Sequence, residues 1–288
     1  MRLSAAGIEL DAVSVGGLET CIQVPSWRLA FDLGRCPPSA ARQRTVCFTH
    51  AHIDHMGGIA THLGLRDLWR MPPARYLVPG EYLEDVQALL ALWRRLDRSE
   101  LPAEIVPVAP GDVIELGRGR RVHVFRSFHR IPTVGYALER TRQKLRAELV
   151  GLPGEQIGAM RAAGEVITEE VCGIEVAFCG DTTAAVIDRE PLVRRAKVLV
   201  LECTFLDEPG SHERALRSGH VDLGAIAERA ELLEAVEAIV LTHFSARYHR
   251  EQICGAIERT LPPELRARVQ PLLSEPPWSH PRSDKVTA

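Results

Sequence analysis

FTHAHIDHMGG, residues 48–58, sets His50, His52, Asp54 and His55 within six positions, between Thr49 and two glycines. The run follows TVCF (45–48), a short apolar stretch that reads as a strand, so the motif begins at a strand end, where functional groups concentrate. Neutral imidazoles and carboxylates are good ligands for zinc and similar divalent ions. His50 and His52 are two apart, so extended backbone aims them to one side. Asp54 and His55 lie further round and could face a second metal. Gly57 and Gly58 let the chain turn tightly beneath. A histidine-rich turn without metal is the simpler alternative, and residues elsewhere have to decide.

Composition narrows the classes. The chain has 288 residues, 45% hydrophobic and 25% charged, the balance of an ordinary soluble globular protein. No apolar run reaches the roughly 20 residues of a membrane span, and the first residues lack the apolar block of a signal peptide. A cytoplasmic protein with no membrane contact is expected. Seven scattered cysteines (21, 36, 47, 172, 179, 203 and 254) form no CxxC pair. Reduced, mostly buried thiols are expected, not a cysteine zinc site. The net charge of −3 gives no general attraction to nucleic acid. The basic residues are nearly all arginine, with lysine only at 144, 197 and 285. Arginine's planar fork suits phosphate, although codon bias in a GC-rich genome gives the same composition.

Strands are expected at 8–15, 19–24, 28–34, 75–80, 103–108, 112–116 and 121–128, with helices near 58–64 and over 81–98. The second half repeats the theme. Strands are expected at 173–182, 196–205 and 236–245, with helices over 222–235, where Asp222 is a plausible cap, and 249–261. Alternating strands and helices suggest two β-sheets covered by helices in layers. One domain over 1–274 is expected, with a polar, proline-rich tail at 275–288.

Four residues cannot complete two metal sites. Three further candidates stand just after predicted strands: His129 in RSFHRIPTVGY, Asp181 in FCGDT and His243 in VLTHFSARY. Singly, these read equally well as a loop histidine, a turn residue and a buried polar group. In this order behind HxHxDH they resemble the metallo-β-lactamase fold family, whose architecture is a four-layer αββα sandwich. LECTFLDE (201–208), SGH (218–220), LTHFSARY (241–248) and the six-residue step from His129 to Gly135 are similar to its ribonuclease Z branch, endonucleases that remove 3′ trailers from tRNA precursors.

The resemblance implies a set of roles. His50, His52 and His129 would hold one zinc; Asp54, His55 and His243 the other; and Asp181 would bridge them. Manganese or iron would suit the same donors. Asp54 would orient the attacking water or accept its proton. Glu202 and His220 would form a carboxylate–histidine pair that protonates the leaving oxygen, and Ser245 and Arg247 would face phosphate. Two metals about 3.5–4 Å apart suit in-line displacement at a phosphodiester. Short ribonuclease Z proteins are homodimers in which one subunit's arm serves the other's site, so precursor tRNA and a second copy are the implied partners.

Several positions depart from the pattern. Leu201 and Cys203 replace a histidine and an alanine, Val221 and Asp222 replace small hydroxyl residues, and the glycine-rich segment near the start is short. Residues 139–170 keep a shortened arm-like insertion with a Gly151–Pro153–Gly154 tip. Arg140, Arg142, Lys144 and Arg146 there could meet phosphates, or could simply form a solvated face. A shortened arm leaves a rival reading, a hydrolase of this fold acting on a small phosphodiester or a lactone. A di-iron reductase would carry an acid in place of His52. An inert RNA-binding module would not need an open two-metal site.

Overall fold

A computed structural model describes residues 1–274; the expected tail at 275–288 lies outside the described residues. Two seven-stranded sheets form, each with its strands in chain order. The first holds β1 (Arg2–Ala5), β2 (Ile8–Val15), β3 (Glu19–Val24), β4 (Leu29–Phe31), β5 (Thr45–Cys47), β6 (Ala74–Pro79) and β7 (Ala103–Val108). The second holds β8 (Val113–Gly117), β9 (Arg120–Arg126), β10 (Val134–Leu145), β11 (Thr168–Phe178), β12 (Val198–Glu202), β13 (Ala238–Thr242) and β14 (Val269–Pro271). Each sheet opens antiparallel and turns parallel from its fourth strand onward.

The layers follow from the period-two alternation of strand side chains. Leu29, Phe31, Cys47 and Leu77 face Tyr136, Phe178, Val198, Val200 and Val240 across the gap between the sheets. Ala30, Val46, Tyr76 and Val78 point outward, under α2 (Ile59–Leu68) and α3 (Leu83–Asp97), which follow a short α1 (Ile53–Met56). After α4 (Gly154–Ala162), the helices α5 (Ala185–Arg189), α6 (Pro191–Arg194), α7 (Ser211–Ser218), α8 (Leu223–Ala227) and α9 (Arg250–Thr260) complete the set used below. Leu199, Leu201, Ile239 and Leu241 pack outward against α5, α6, α8 and α9. Central strands buried on both faces carry unbroken apolar runs, such as AIVLT. The arrangement is the expected αββα sandwich.

The strand expected over 28–34 and the helix expected over 222–235 differ from their expected form. The strand over 28–34 stops at Phe31, because Asp32 turns into the left-handed region with φ 56°. The helix over 222–235 breaks after Ala227. From Arg229 onward the N–H groups bond three residues back, and the Arg229 guanidinium takes the Ala225 carbonyl at 2.9 Å. Asp222 does cap this helix, its carboxylate accepting the Ala225 N–H at 3.0 Å. Residues 139–170, expected as a shortened arm-like insertion, are built from two paired strands and a helix. β10 and β11 run on past the sheet as a paired ribbon to Leu145 and Thr168, and the exposed α4 lies between their far ends.

The aromatic centre of the sandwich sets a stability test. Phe31 is fully buried, with its ring 5.0 Å from Phe178 and 6.2 Å from Tyr136. Replacing it with alanine should cost about 3–5 kcal/mol of unfolding free energy in a urea titration.

Candidate metal centre

All the expected ligands meet at one end of the two sheets, each just beyond a strand end. His50 follows β5, His129 lies between β9 and β10, Asp181 follows β11 and His243 follows β13. Strand ends gather because the sheets are packed face to face, so residues far apart in sequence meet over one rim. His52 caps α1, whose first turns carry Asp54 and His55.

The donor atoms fall into overlapping groups. Atoms of His50, His52, His129 and Asp181 lie within 4.8 Å of one another, and so do atoms of Asp54, His55 and His243. Asp181 divides its carboxylate between them. Its Oδ2 is 3.7 Å from His50 Nε2, while its Oδ1 is 3.3 Å from His55 Nε2 and 3.5 Å from His243 Nε2.

Hydrogen bonds around the rim fix how the imidazoles face. Asp32 is fully buried and accepts the Thr49 N–H, the Thr49 hydroxyl and the His55 Nδ1–H, each at 2.8 Å. With its proton given to Asp32, the Thr49 hydroxyl accepts from His50 Nδ1 at 2.9 Å. On the other side, the Thr204 hydroxyl donates to Glu202 at 2.6 Å and accepts from His243 Nδ1 at 2.8 Å. His129 Nδ1 donates to the Gly219 carbonyl at 2.7 Å. His50, His55, His129 and His243 therefore each carry the proton on Nδ1 and turn an Nε2 lone pair inward.

This donor set fits a divalent cation. His129 Nε2 and Asp181 Oδ1 are buried and have no hydrogen-bond donor. The His55 and His243 nitrogens nearest to Asp181 Oδ1 present lone pairs to it, so acceptors face acceptors. Burial lowers the basicity of His50, His52 and His129. Burial works the same way on His55, but the carboxylates of Asp181 and Asp32 outweigh it and draw positive charge there. A metal ion supplies that charge without protonating a ligand.

The glycines act through close approach. Gly57 and Gly58 have ordinary helical or near-helical φ, −56° and −82°, so left-handed freedom is not their purpose. A Cβ would stand 2.5 Å from the Ile53 carbonyl at Gly57 and 2.6 Å from the Leu33 carbonyl at Gly58. The two-glycine turn after β2 holds two residues of the Asp54–His55–His243 group. Gly17 N–H bonds Asp54 Oδ2 at 2.9 Å, and a Cβ on Gly16 would meet the His243 carbonyl at 2.9 Å. His243 itself sits at φ 58°, a strained position that the Ser14 hydroxyl supports by accepting its N–H at 3.0 Å.

Beside the cluster stands the second expected pair. His220 Nδ1 is 2.7 Å from Glu202 Oε1 and 4.0 Å from Asp181 Oδ2. Glu202 also accepts the Thr182 and Thr204 N–H groups at 2.9 and 3.1 Å. Burial would lower His220; the Glu202 carboxylate outweighs it, and His220 is raised to about 9. The departures nearby are harmless, because Leu201 and Cys203 point outward into the helix-covered core while Glu202 points to the site.

The expected phosphate pair is less directly placed. Ser245 is half-buried, and its N–H bonds the Thr204 carbonyl at 3.2 Å. The Arg247 guanidinium lies over the rings of Phe205 and Tyr248, at 5.3 and 4.7 Å. Phe205 in turn flanks His220, with ring centroids 6.3 Å apart. The sequence reading missed Asp32, Thr49 and Thr204, which touch no metal position and serve only to orient histidines. A lone acid after an apolar strand, in AFDLG, was the one visible trace of the first.

Asp32 offers the sharpest test. Asp32→Asn keeps the shape but sets an amide N–H against His55 Nδ1–H. Metal affinity should fall roughly 10- to 100-fold in a competition titration against a chromogenic chelator.

Comparison with known proteins agrees with this geometry. Residues 24–244 match the Beta-lactamase superfamily domain. The chain is 40% identical to tRNase Z TRZ1 of Arabidopsis thaliana, over 91% of this chain and 94% of the relative. It is 39% identical to the chloroplastic tRNase Z TRZ2 of the same plant, over 92% of this chain and 77% of that one. Among solved structures, the short form of human tRNase Z superposes with a TM-score of 0.58 at 17% identity, covering 83% of this chain and 93% of that one. With two thirds or more of its length aligned to such relatives, the chain belongs to the tRNase Z (ribonuclease Z) family of the β-lactamase superfamily.

Proposed function

We propose that the chain is a metal-dependent phosphodiesterase that cleaves the 3′ trailer from precursor tRNA. The observation that carries this reading is the Glu202–His220 pair beside the split carboxylate of Asp181. A metal-only hydrolase of small esters has no need of a buried carboxylate that holds a charged imidazole at the rim. Kinship with proteins named tRNase Z favours RNA over a small phosphodiester or a lactone.

In this reading His50, His52 and His129 would hold one zinc ion and Asp54, His55 and His243 the other, and Asp181 would serve both; manganese and iron would suit the same nitrogen and oxygen donors. Bound metal supplies Lewis-acid activation of water and of the phosphate oxygens. The chain's own residues do the rest. Asp54, partly exposed and anchored by Gly17, orients the attacking water and accepts its proton. His220 keeps Nδ1 on Glu202 and turns Nε2 toward the leaving oxygen, to which it donates a proton. Arg247, stiffened by Phe205 and Tyr248, and Ser245 lie on the same side for the phosphate.

Other features fit the partners. Leu68 and Trp69 at the end of α2, and Leu92, Trp93 and Leu96 on α3, are exposed apolar side chains, which suit a homodimer interface. No helix among the described residues is long and apolar enough to cross a membrane. All seven cysteines are free thiols, in keeping with a reducing cytoplasm. On the ribbon, Arg140 and Arg142 pair with Glu175, and Arg146 pairs with Glu148 at 2.7 Å. Arg142 and the Arg146–Glu148 pair are exposed, so RNA phosphates can compete for these two arginines, whereas Arg140 and Glu175 are partly buried.

The decisive assay is cleavage of a precursor tRNA bearing a 3′ trailer. A single cut after the discriminator base, abolished together with metal content in His52→Ala, is expected; an uncut precursor would overturn the reading. His220→Ala should keep its metal and lose about 10²–10⁴ in rate. Glu202→Gln should move the alkaline limb of the rate profile to lower pH. Without the carboxylate His220 loses its proton sooner as pH rises. Sedimentation should give a dimer for the wild type and a monomer for Trp93→Glu.

A further inference from the structure

The metal ligands follow the strand ends; arginines crowd the opposite rim. Arg28 precedes β4, Arg44 precedes β5 and Arg75 is the second residue of β6. The turn between β8 and β9 brings Arg118 and Arg120 to the same place. These five, with Trp27, line a cleft of about 680 Å³. A second cleft of about 440 Å³ shares Arg28 and Arg44 and adds Arg42 and Arg66. The step from Arg44 to His50 spans roughly 20 Å at about 3.3 Å per residue, so this is not the metal site seen from behind.

Most of this charge is uncompensated. Glu104 pairs with Arg75 at 2.9 Å, and Glu115 lies 4.0 Å from Arg121, which is outside the lining. Arg66 is committed to the carbonyls of Ala41, Gln43 and Pro72. Among the described residues, Arg28, Arg42, Arg44 and Arg118 have no carboxylate within 4 Å. In a chain of net charge −3, this is a local concentration of cations without partners. It is a standing attraction for an anion, and the guanidinium fork matches phosphate.

The shape and lining narrow the ligand. Two clefts joined through Arg28 and Arg44 are longer than one phosphate needs. Trp27 is buried, 3% exposed, with Arg120 and Arg140 over its ring at 5.7 and 5.2 Å. Among the described lining residues Trp27 is the one aromatic, so the cleft suits backbone contact and not sequence reading. The β10–β11 ribbon leaves the second sheet at this end, with Arg140 paired in register to Arg120. The ribbon's arginines have carboxylate partners, whereas among the described residues those of the cleft beside its base, Arg75 apart, do not.

We infer that this arginine cleft holds the sugar–phosphate backbone of a structured RNA, as a second contact remote from the metal centre. The inference rests on the RNA-processing reading above. The test compares the full-length Arg44→Gln/Arg118→Gln double variant with wild type for precursor tRNA binding across a salt series. The slope of log affinity against log salt should fall by roughly 2, with affinity on the order of tenfold weaker at low salt. Turnover of bis(p-nitrophenyl) phosphate should stay unchanged. Wild type that cuts the precursor, with a double variant of the same affinity and slope, would overturn the cleft alone. Wild type that neither binds nor cuts the precursor would overturn both readings. Binding of inorganic tripolyphosphate that the double variant loses, with RNA affinity unaltered, would make it a small-anion site and overturn the RNA assignment.

Discussion

The centre depends on Asp32, a carboxylate with no exposed surface at the end of β4. Its three hydrogen bonds tie the β4 end to Thr49 and His55 and, through the Thr49 hydroxyl, set the proton of His50. A buried anion is tolerated only when such donors surround it. The left-handed turn at Asp32 is therefore held by the same bonds that orient two histidines of the candidate centre. Fold and site are one network here, since loosening the turn would strand the charge and free the histidines together.

The second sheet solves the same problem with Glu202. It too closes a buried strand, accepts backbone N–H groups from Thr182 and Thr204, and governs a histidine on either side. His220 is bound directly, and His243 through the Thr204 hydroxyl. One carboxylate–threonine pair thus stands at the rim of each sheet, and Asp181 lies between the histidines that they orient. The glycine turn that joins β2 to β3 in the first sheet touches Asp54 and the backbone of His243 and Phe244 beyond β13, and so ties the first sheet to the second.

The departures from the ribonuclease Z pattern become intelligible on this frame. Leu201 and Cys203 sit on the outward face of β12, where only volume and apolarity matter. Val221 joins the same core, and Asp222 serves as a helix cap. The short glycine segment still reaches both of its targets. None of these changes lies between the donor atoms.

What the sequence by itself determined was the chemistry and its order. HxHxDH, then His129, Asp181 and His243 at strand ends, carried the candidate donors that the fold brings together, and the alternation of apolar runs with amphipathic stretches carried the layered α/β class. Those signals are local, because a strand end and a side-chain donor are both written within a few residues. Tertiary structure alone decided which lone pair each histidine presents, since Asp32, Thr49 and Thr204 act across many residues of sequence. It also paired the ends of the 139–170 insertion, since β10 and β11 meet only through long-range hydrogen bonds that no local pattern writes. The arginines of the opposite rim, scattered from 28 to 120, become one cleft only when the sheets stack, and no periodicity could have gathered them.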